Sequence, residues 1–447
     1  MRPKRESGAR RALQEFLALP LAIIAGFVVL AVITSVLDGV DAGWLRPFTQ
    51  ALAKLAPPQE NQSMLRTVAP GMISLMTITF VLLLTLVHRM ADVFTWVVVE
   101  QFLRRRVNQA FFGYFAGLSA NFVVVLTLVD PDQAVFSTVA ALVFSVLAMI
   151  GLVVFGYLVL DQLRPPSVVE RIVQLTLTTR AEQEKWLPRV RTQPQLAHLP
   201  ATTVRAECSG YLVDIGLDRL GRALDATRGP AEIEFSTRLG SHMVRGSELA
   251  VVRAEDAADR DQLAEAVLDA LRCGRERQLN RESRYGVHQL SSMGWASATQ
   301  RDPEAALVSV DGLHTLLALW SRSDPRDGTG SDDERLAVVY RDDMVPEVLS
   351  ALANIAVGAI EGGQHQTCAR VLDVFAMSIP CLPADYQRLA TAQVRYALPT
   401  VTRHPLTTEL DRALSTLGRV LADNGHAEVA AQLDRVESRL HHELPRS

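Results

Sequence analysis

The chain has 447 residues, of which 49% are apolar, and its 45 basic and 49 acidic side chains give a formal net charge of -4. This length exceeds what one domain usually needs. The near balance of charge excludes a strongly basic nucleic-acid-binding protein. All four cysteines lie after residue 200 without a CxxC pair, so we expect reduced thiols in packed surroundings if that part is cytoplasmic.

Four long segments without Asp, Glu, Lys or Arg predict transmembrane helices. A helix that rises 1.5 Å per residue crosses a hydrocarbon core of roughly 30 Å in about twenty residues. The four segments are 16–37, 68–87, 110–129 and 134–160. The first is longer than a typical signal-peptide core and precedes no clear small-residue cleavage site, so we interpret it as a retained span.

The positions of the basic residues predict the orientation of these spans. They cluster before the first span and between the second and the third, namely at Arg2, Lys4, Arg5, Arg10, Arg11, Arg89, Arg104, Arg105 and Arg106. Segment 38–67 carries only three basic residues and the turn at 130–132 carries none. Because positively charged loops stay on the cytoplasmic side, we predict that both termini are cytoplasmic.

The run Arg104, Arg105 and Arg106 precedes the third span. Its simplest role is a topological signal that holds this loop inside. A second role is contact with anionic lipid headgroups or a partner, since a basic residue beside a span contributes about 1 kcal/mol to the attraction of such lipids. Both roles are compatible.

The third span carries Gly113, Gly117 and Asn121 at intervals of four residues, which places them on one helix face. Small residues at this spacing allow close approach of two helices, and the amide can hydrogen-bond across the contact. A similar row in the fourth span consists of Ser137, Ala141 and Ser145. We therefore expect these two spans to pack together, with a contact between protomers as the alternative.

The second span carries Ser74, Thr77, Thr85 and His88 at offsets that return to one helix face. This face suggests the lining of a water-filled path in an oligomer. The alternative is that the hydroxyls bond to preceding carbonyls of their own helix or to neighbouring helices. No ionisable group lies deeper in the spans. Since coupled transporters keep such groups near the midplane, a passive channel is favoured over a coupled pump.

The remainder of the chain reads as a soluble α+β part. Segment 167–187 predicts a helix that ends before Pro188. The runs "VRAECSGYLVDIG", "AEIEFSTR" and "ELAVVRAE" predict strands of a small β-barrel or sandwich. Later segments show helical periodicity, and the Asp- and Gly-rich stretch 323–335 predicts an exposed linker.

These patterns define the predicted organisation. A cytoplasmic segment (1–15) precedes a four-helix transmembrane domain (16–163), and a helical connector (164–200) follows it. The soluble part then consists of a small β-rich domain (201–256) and a helical domain (257–447).

Several stretches give the chain a resemblance to a known family. They are "FLRRRVNQAFFG", "SGYLVDIGLDRL", "RLGSHMVRGSELAVV" and "GRERQLNRESRYGVHQL", the last followed by "RDPEAAL". Over most of its length the chain resembles bacterial predicted membrane proteins that carry the domain of unknown function 2254. The resemblance implies four membrane helices and a large cytoplasmic part, and carries no established activity. In "RDPEAAL", Asp302 before Pro303 is also what a helix N-cap requires.

Candidate chemical sites in the soluble part are few. Arg275, Arg277 and Arg281 lie among acidic residues, so they could contact an anion or pair internally on the surface. "HQTC" places His365 and Cys368 at a spacing that suits zinc, but the remaining ligands lack regular spacing. We find no nucleophile elbow, phosphate-binding glycine loop or zinc-hydrolase helix and predict no catalytic site, cofactor or metal.

The sequence leaves two functional hypotheses. The first is a homo-oligomeric protein of the bacterial inner membrane that conducts ions or small solutes, with its cytoplasmic part assembling or gating it. The second is a membrane-tethered scaffold or sensor that binds a small molecule or protein through its cytoplasmic part. The lipid bilayer is the expected partner in both, and nucleic acid in neither.

Overall fold

The computed structural model describes residues 8–39, 58–93, 106–128, 135–162, 164–275, 277, 281–300, 302–322, 335–401 and 406–442. The chain divides into two compact units, Met1–Arg164 and Pro165–Ser447, which we call the N-terminal and the C-terminal unit. Arg104, Arg105, the turn at 130–132 and all but the last residue of the 323–335 linker lie outside the described residues.

The described part of the N-terminal unit is helical. Its helices are α1 (Gly8–Gly39), α2 (Pro58–Val93), α3 (Arg106–Leu128) and α4 (Phe136–Gln162). α3 packs against the other three helices, and its Phe115, Leu118 and Phe122 are buried. On the outside, large apolar side chains are exposed, with Val153 at 74% on α4. A helical unit that exposes apolar side chains in this way is typical of a membrane domain.

Among the described residues, five helical segments are long and apolar enough to cross a membrane. Four of them, Leu17–Asp38, Leu65–Thr85, Arg106–Thr127 and Phe136–Leu158, lie close to the predicted spans. The fifth, Met344–Glu361, lies in the C-terminal unit. The presence of several membrane helices is therefore confirmed, whereas the predicted count of four is not.

The C-terminal unit contains eight described strands. They are β1 (Val190–Arg191), β2 (Ala201–Arg205), β3 (Gly210–Ile215), β4 (Ala231–Phe235), β5 (His242–Met243), β6 (Glu248–Ala254), β7 (Leu271–Gly274) and β8 (Leu336–Val339). The three predicted β runs contribute β2, β3, β4 and β6. The prediction lacks four strands, namely β1 and β8, which are the first and last strands along the chain, and the short strands β5 and β7.

These strands form two sheets. One has five strands in the order β1-β8-β4-β6-β2, and the other has three in the order β5-β3-β7. β8 pairs in parallel with both β1 and β4, whereas β4, β6 and β2 are antiparallel. The predicted barrel-like shape is not confirmed. The reason is that β8 arrives from far along the chain, and such a parallel pairing leaves no local turn signal in the sequence.

Two helices, α6 (Leu217–Asp225) and α7 (Ala257–Ala270), supply apolar residues to the core of the five-stranded sheet. Leu220 of α6, Leu263 of α7 and Ile233 of β4 are all fully buried there. Ala250, Val252 and Ala254 of β6 alternate with partly buried residues and lie in the same core. This small apolar core positions the loops that carry the polar residues discussed below.

The rest of the C-terminal unit is helical. Its helices are α5 (Pro165–Glu184), α8 (Ser283–Thr299), α9 (Pro303–Trp320), α10 (Met344–Glu361), α11 (His365–Ser378), α12 (Ala384–Val401), α13 (Thr408–Asp423) and α14 (Ala427–His442). α5 packs against α8 and α9. At this contact a Cβ on Gly286 would lie 1.7 Å from Thr176 Oγ1, so only glycine fits. Asp302 caps α9 by accepting a hydrogen bond from Ala305 N at 3.2 Å, as the sequence predicts.

Candidate functional site

One exposed face of α2 carries most of the hydroxyl side chains of this helix. Its members, which we call the α2 stripe, are separated by three or four positions and are all exposed: Ser63, Thr67, Pro70, Ser74, Thr77, Val81, Thr85 and His88. Residues at this spacing lie on one helix face. The four residues predicted from the sequence therefore share one surface. This surface also includes Ser63, Thr67, Pro70 and Val81.

The opposite face of α2 packs into the N-terminal unit. Leu65, Ala69, Met72 and Thr79 are buried there, and α2 makes its main contact with α3. The α2 stripe therefore points away from the other described helices of the N-terminal unit. The hydroxyl of Thr77 donates to the Ile73 carbonyl at 2.9 Å, and that of Thr67 donates to the Ser63 carbonyl at 2.7 Å. Each hydroxyl oxygen can still accept a hydrogen bond from water, an ion's hydration shell or a neighbouring chain.

The glycine face of α3 packs against α1. A Cβ on Gly113 would lie 2.8 Å from Pro20 Cα, and one on Gly117 would lie 2.6 Å from Phe27 Cδ2. Asn121 Nδ2 donates to the Phe27 carbonyl at 3.2 Å. The prediction that this face packs against the fourth span is therefore wrong, because its partner is α1. Ser137, Ala141 and Ser145 are nonetheless buried in the same bundle.

Asp38 joins α1 to α4, a contact that the sequence analysis misses. Its Oδ1 accepts from Val135 N at 3.1 Å and Phe136 N at 2.7 Å, and its Oδ2 accepts from Ser137 N at 3.0 Å. A carboxylate is well placed there, because the first amides of a helix lack partners within the helix. The sequence does contain one sign of this contact. Asp38 is an acidic residue directly after the first span, and an acidic side chain can accept hydrogen bonds from the first amides of another helix.

The arginines that the sequence proposes for anion contact do not act as one group. Arg277 Nε lies 3.0 Å from Glu282 Oε2, and its guanidinium carbon lies 4.4 Å from the centre of the Tyr285 ring. Glu282 is fully buried, so Arg277 neutralises a buried carboxylate. Arg275 and Arg281 are exposed, and so is Arg106 at the start of α3. Internal pairing, one of the two alternatives from the sequence, therefore describes Arg277.

A buried charged network near Arg180 is a second feature that the sequence does not reveal. Arg180 is only 3% exposed, and its guanidinium lies 2.5 Å from Asp342 and 3.3 Å from Glu184. It also lies 5.8 Å from the centre of the Trp320 ring. The pKa of Tyr340, a near neighbour of Asp342 in the chain, is raised to about 12, mainly by burial. This network joins α5 to the segment that follows β8.

A cleft of about 230 Å³ lies beside β4 and β8. Its lining includes Glu234, Arg238, Tyr340 and Arg341. Arg238 pairs with Asp343, and Arg341 lies 3.5 Å from Glu234. The arrangement offers both donors and acceptors to a small polar ligand.

Among the described residues, the His, Cys, Asp and Glu side chains that converge as a group of three are Asp411, Glu437 and His441. Their ligand atoms lie within 4.8 Å of one another, and His441 Nε2 lies 2.9 Å from Asp411 Oδ1. The group does not include His365 or Cys368. Burial raises the pKa of the Cys368 thiol to about 12, which disfavours the thiolate that zinc requires.

The cysteines differ in exposure. Cys368 is buried, whereas Cys208, Cys273 and Cys381 are exposed. The expectation of packed surroundings is therefore wrong for three of the four. The described residues hold all four as free thiols.

Comparison with known proteins identifies the family. Searches of curated proteins and of solved structures gave no match. Residues 14–376 match the profile of a family described as "Predicted membrane protein (DUF2254)". This match includes the four helices of the N-terminal unit except for the start of α1, and extends through the sheets to α11. The chain belongs to the DUF2254 family of predicted membrane proteins.

Proposed function

We propose that the protein forms a homo-oligomer in the bacterial inner membrane and provides a channel-like path for ions or small solutes. In this proposal both termini are cytoplasmic, and the C-terminal unit assembles or gates the oligomer. The observation that carries the proposal is the α2 stripe, which points away from the other described helices of the N-terminal unit. Hydroxyls and an imidazole along a membrane helix are better accommodated by another protomer or by water than by lipid.

The proposal assigns the four helices of the N-terminal unit as the membrane spans. Between 17% and 44% of each candidate segment in that unit is buried, compared with 67% of Met344–Glu361. The latter, α10, packs against α8 and α12, and its Glu347 lies 2.6 Å from Arg284. We therefore assign α10 to the core of the C-terminal unit, where high hydropathy reflects burial by protein.

The alternative for the α2 stripe is a contact between protomers without a conducting path. Both uses require an oligomer, so native mass spectrometry of the full-length protein in a mild detergent is the first test. A ring of three or more copies is expected. A monomer would exclude a central path, because the four helices of one chain do not readily enclose a water-filled path.

Flux through the oligomer separates these two uses. We expect Thr85→Leu to reduce the efflux of potassium from proteoliposomes severalfold, since an apolar side chain in a narrow path promotes dewetting. The matched control is Thr127→Leu, because Thr127 is also an exposed threonine near the end of a span and donates to its own helix at Val123 O (2.9 Å). Unchanged efflux in a folded, oligomeric Thr85→Leu protein would contradict the conducting path.

The second candidate function is a membrane-tethered sensor or scaffold. The cleft that contains Arg238 and Arg341 favours it, since two guanidinium groups border about 230 Å³ of accessible space. Native mass spectrometry with inorganic phosphate as the probe tests it in the full-length protein. Retention of phosphate that is lost in Arg341→Gln would support a sensor, and the absence of retention would count against an anionic ligand at this cleft.

A further inference from the structure

Two cysteines from distant parts of the chain meet at the edge of the three-stranded sheet. Cys273 lies on β7, where it pairs with Leu212 of β3. Cys208 lies in the turn just before β3. Both side chains are exposed and both thiols are free. The turn that carries Cys208 thus lies beside the strand that carries Cys273.

The backbone at Gly210 is shaped to admit the Cys273 sulfur. Gly210 has a φ of +151°. A Cβ at this position would lie 2.8 Å from Cys273 Sγ and 2.4 Å from the Gly274 carbonyl oxygen. A side chain is therefore excluded on both steric and conformational grounds. Because Gly210 has no side chain, the Cys273 sulfur can lie next to the backbone of Gly210, two residues after Cys208.

The turn that carries Cys208 is also held in place on both sides. Ala206 N donates to the Ser247 carbonyl at 2.8 Å, and Gly246 N donates to the Ala206 carbonyl at 2.7 Å. After Cys208, the Ser209 hydroxyl accepts from Arg245 N at 3.0 Å. Fixed anchors at residues 206 and 209 limit the motion of the cysteine between them, so its proximity to Cys273 is part of the fold.

The pKa of Cys273 reports the same proximity. It is raised to about 11, first by the partial loss of solvent around the sulfur and then by hydrogen bonding to Cys208 and by charge repulsion from it. A raised pKa lowers the fraction of Cys273 that is present as the thiolate, which is the form that attacks a disulfide. Cys273 is therefore a poor attacking group, so we expect Cys208 to react first and Cys273 to resolve the product.

We propose that Cys208 and Cys273 form a site of reversible oxidation, at which a low-molecular-weight disulfide converts the two thiols into an intramolecular disulfide. In the first step the Cys208 sulfur attacks the reagent, forms a mixed disulfide and releases one reagent thiol. In the second step the Cys273 sulfur attacks the Cys208 sulfur, and its proton passes to the second reagent thiol as that leaves. The protein loses two hydrogens, and the reagent disulfide is reduced to two thiols.

The new bond would tie the turn before β3 to the end of β7. The chain leaves β7 through Arg275 and continues to Arg277, which pairs with the buried Glu282. Oxidation would hold the turn before β3 against the strand that precedes Arg275 and Arg277. It would also close a long loop, which disfavours the unfolded chain. The proposal is independent of whether the protein conducts ions.

The test uses the full-length protein in a mild detergent with glutathione disulfide as the reagent. Intact mass and peptide mapping after alkylation of remaining thiols follow the reaction. We expect a product that has lost two hydrogens, contains a peptide linking Cys208 to Cys273, and returns to the starting mass on reduction. The unfolding midpoint of this product should be higher than that of the reduced protein.

Single variants make the test specific. Cys273→Ser should accumulate a stable glutathione adduct on Cys208, since no second sulfur is present to displace it. Cys381→Ser is the matched control, because Cys381 is also an exposed thiol of the C-terminal unit, and it should form the link as the native chain does. Separate stable adducts on Cys208 and Cys273 of the native chain, or a link that involves Cys381, would overturn the proposal.

Discussion

The two units satisfy their buried polar groups in different ways. In the N-terminal unit the buried hydroxyls of Thr34, Thr79, Ser119 and Ser145 donate one turn back along their own helix, as Thr79 does to Leu75 O (2.8 Å) and Ser145 does to Ala141 O (2.7 Å). No charged side chain is buried among the described residues of that unit. In the C-terminal unit, by contrast, Arg180 pairs with Asp342 across 162 positions of sequence. We attribute this difference to the environment of each unit. Lipid cannot hydrogen-bond to a charged side chain, so a charge in a membrane helix is costly unless its partner satisfies it fully.

Three described residues of the N-terminal unit depart from this pattern, and each connects two helices: Tyr114, whose hydroxyl donates to the Phe144 carbonyl on α4 at 2.8 Å, Asn121 and Asp38. Asn121 donates to the carbonyl of Phe27 on α1, and Asp38 accepts from the first amides of α4. In each case a backbone group provides the partner. Long-range polar contacts in this unit thus rely on the main chain, whereas those of the C-terminal unit also join side chain to side chain.

The largest effect is expected where a buried charge loses its partners. Glu232 is fully buried, accepts from Gln195 N at 2.9 Å, and lies 3.6 Å from Arg191 and 3.5 Å from Arg253. Replacing it with alanine removes the carboxylate that faces Arg191 and leaves Arg253 with Glu234 alone. Because a nearly buried guanidinium then loses its partner, we expect Glu232→Ala to cost about 3–5 kcal/mol of unfolding free energy. The shift is measured by thermal unfolding of the full-length protein in detergent.

The control for this prediction lies two positions further along β4. Glu234 lies 2.7 Å from Arg253, but its side chain is 19% exposed. Glu234→Ala should therefore lower the unfolding midpoint clearly less than Glu232→Ala does. Equal shifts would show that burial does not decide the importance of these ion pairs, and the contrast between the two units would lose its basis.

The next effect concerns close packing in the N-terminal unit. In Gly117→Ala the new Cβ would lie 2.6 Å from Phe27 Cδ2 and 3.2 Å from Ile24 Cα. Since part of this obstacle is backbone, α1 and α3 must separate, and we expect a loss of about 1–3 kcal/mol. Gly156→Ala on α4 is the control, because a Cβ there meets no atom within 4 Å. If both variants unfold at the same temperature, the α1–α3 contact is looser than these distances imply.

The sequence predicts these elements better than it predicts their partners. Helical periodicity and the lack of charge identify the helices of the N-terminal unit, and alternating residues identify β4 and β6, because both signals are local. The Gly113 and Gly117 face is equally visible, but its partner α1 is not, since small residues indicate a contact without indicating with which helix. β8 is a run of only four residues, and its pairing with β4 depends on tertiary structure. The partners of Arg180 and Glu232 also depend on tertiary structure, so the local sequence does not reveal them.

The smallest effect is expected where a buried polar group bonds within its own helix. Thr79→Val removes the hydroxyl that donates to Leu75 O and keeps the shape of the side chain, so no partner on another helix is left unpaired. Even hydrogen bonds between membrane helices contribute only about 0.6 kcal/mol on average. We therefore expect the unfolding midpoint of Thr79→Val to stay close to that of the native protein. Asn121→Leu, which removes the donor to Phe27 O on α1, should lower it further. A Thr79→Val protein that unfolds as early as Asn121→Leu would mean that local hydroxyl bonds stabilise this unit as much as contacts between helices do.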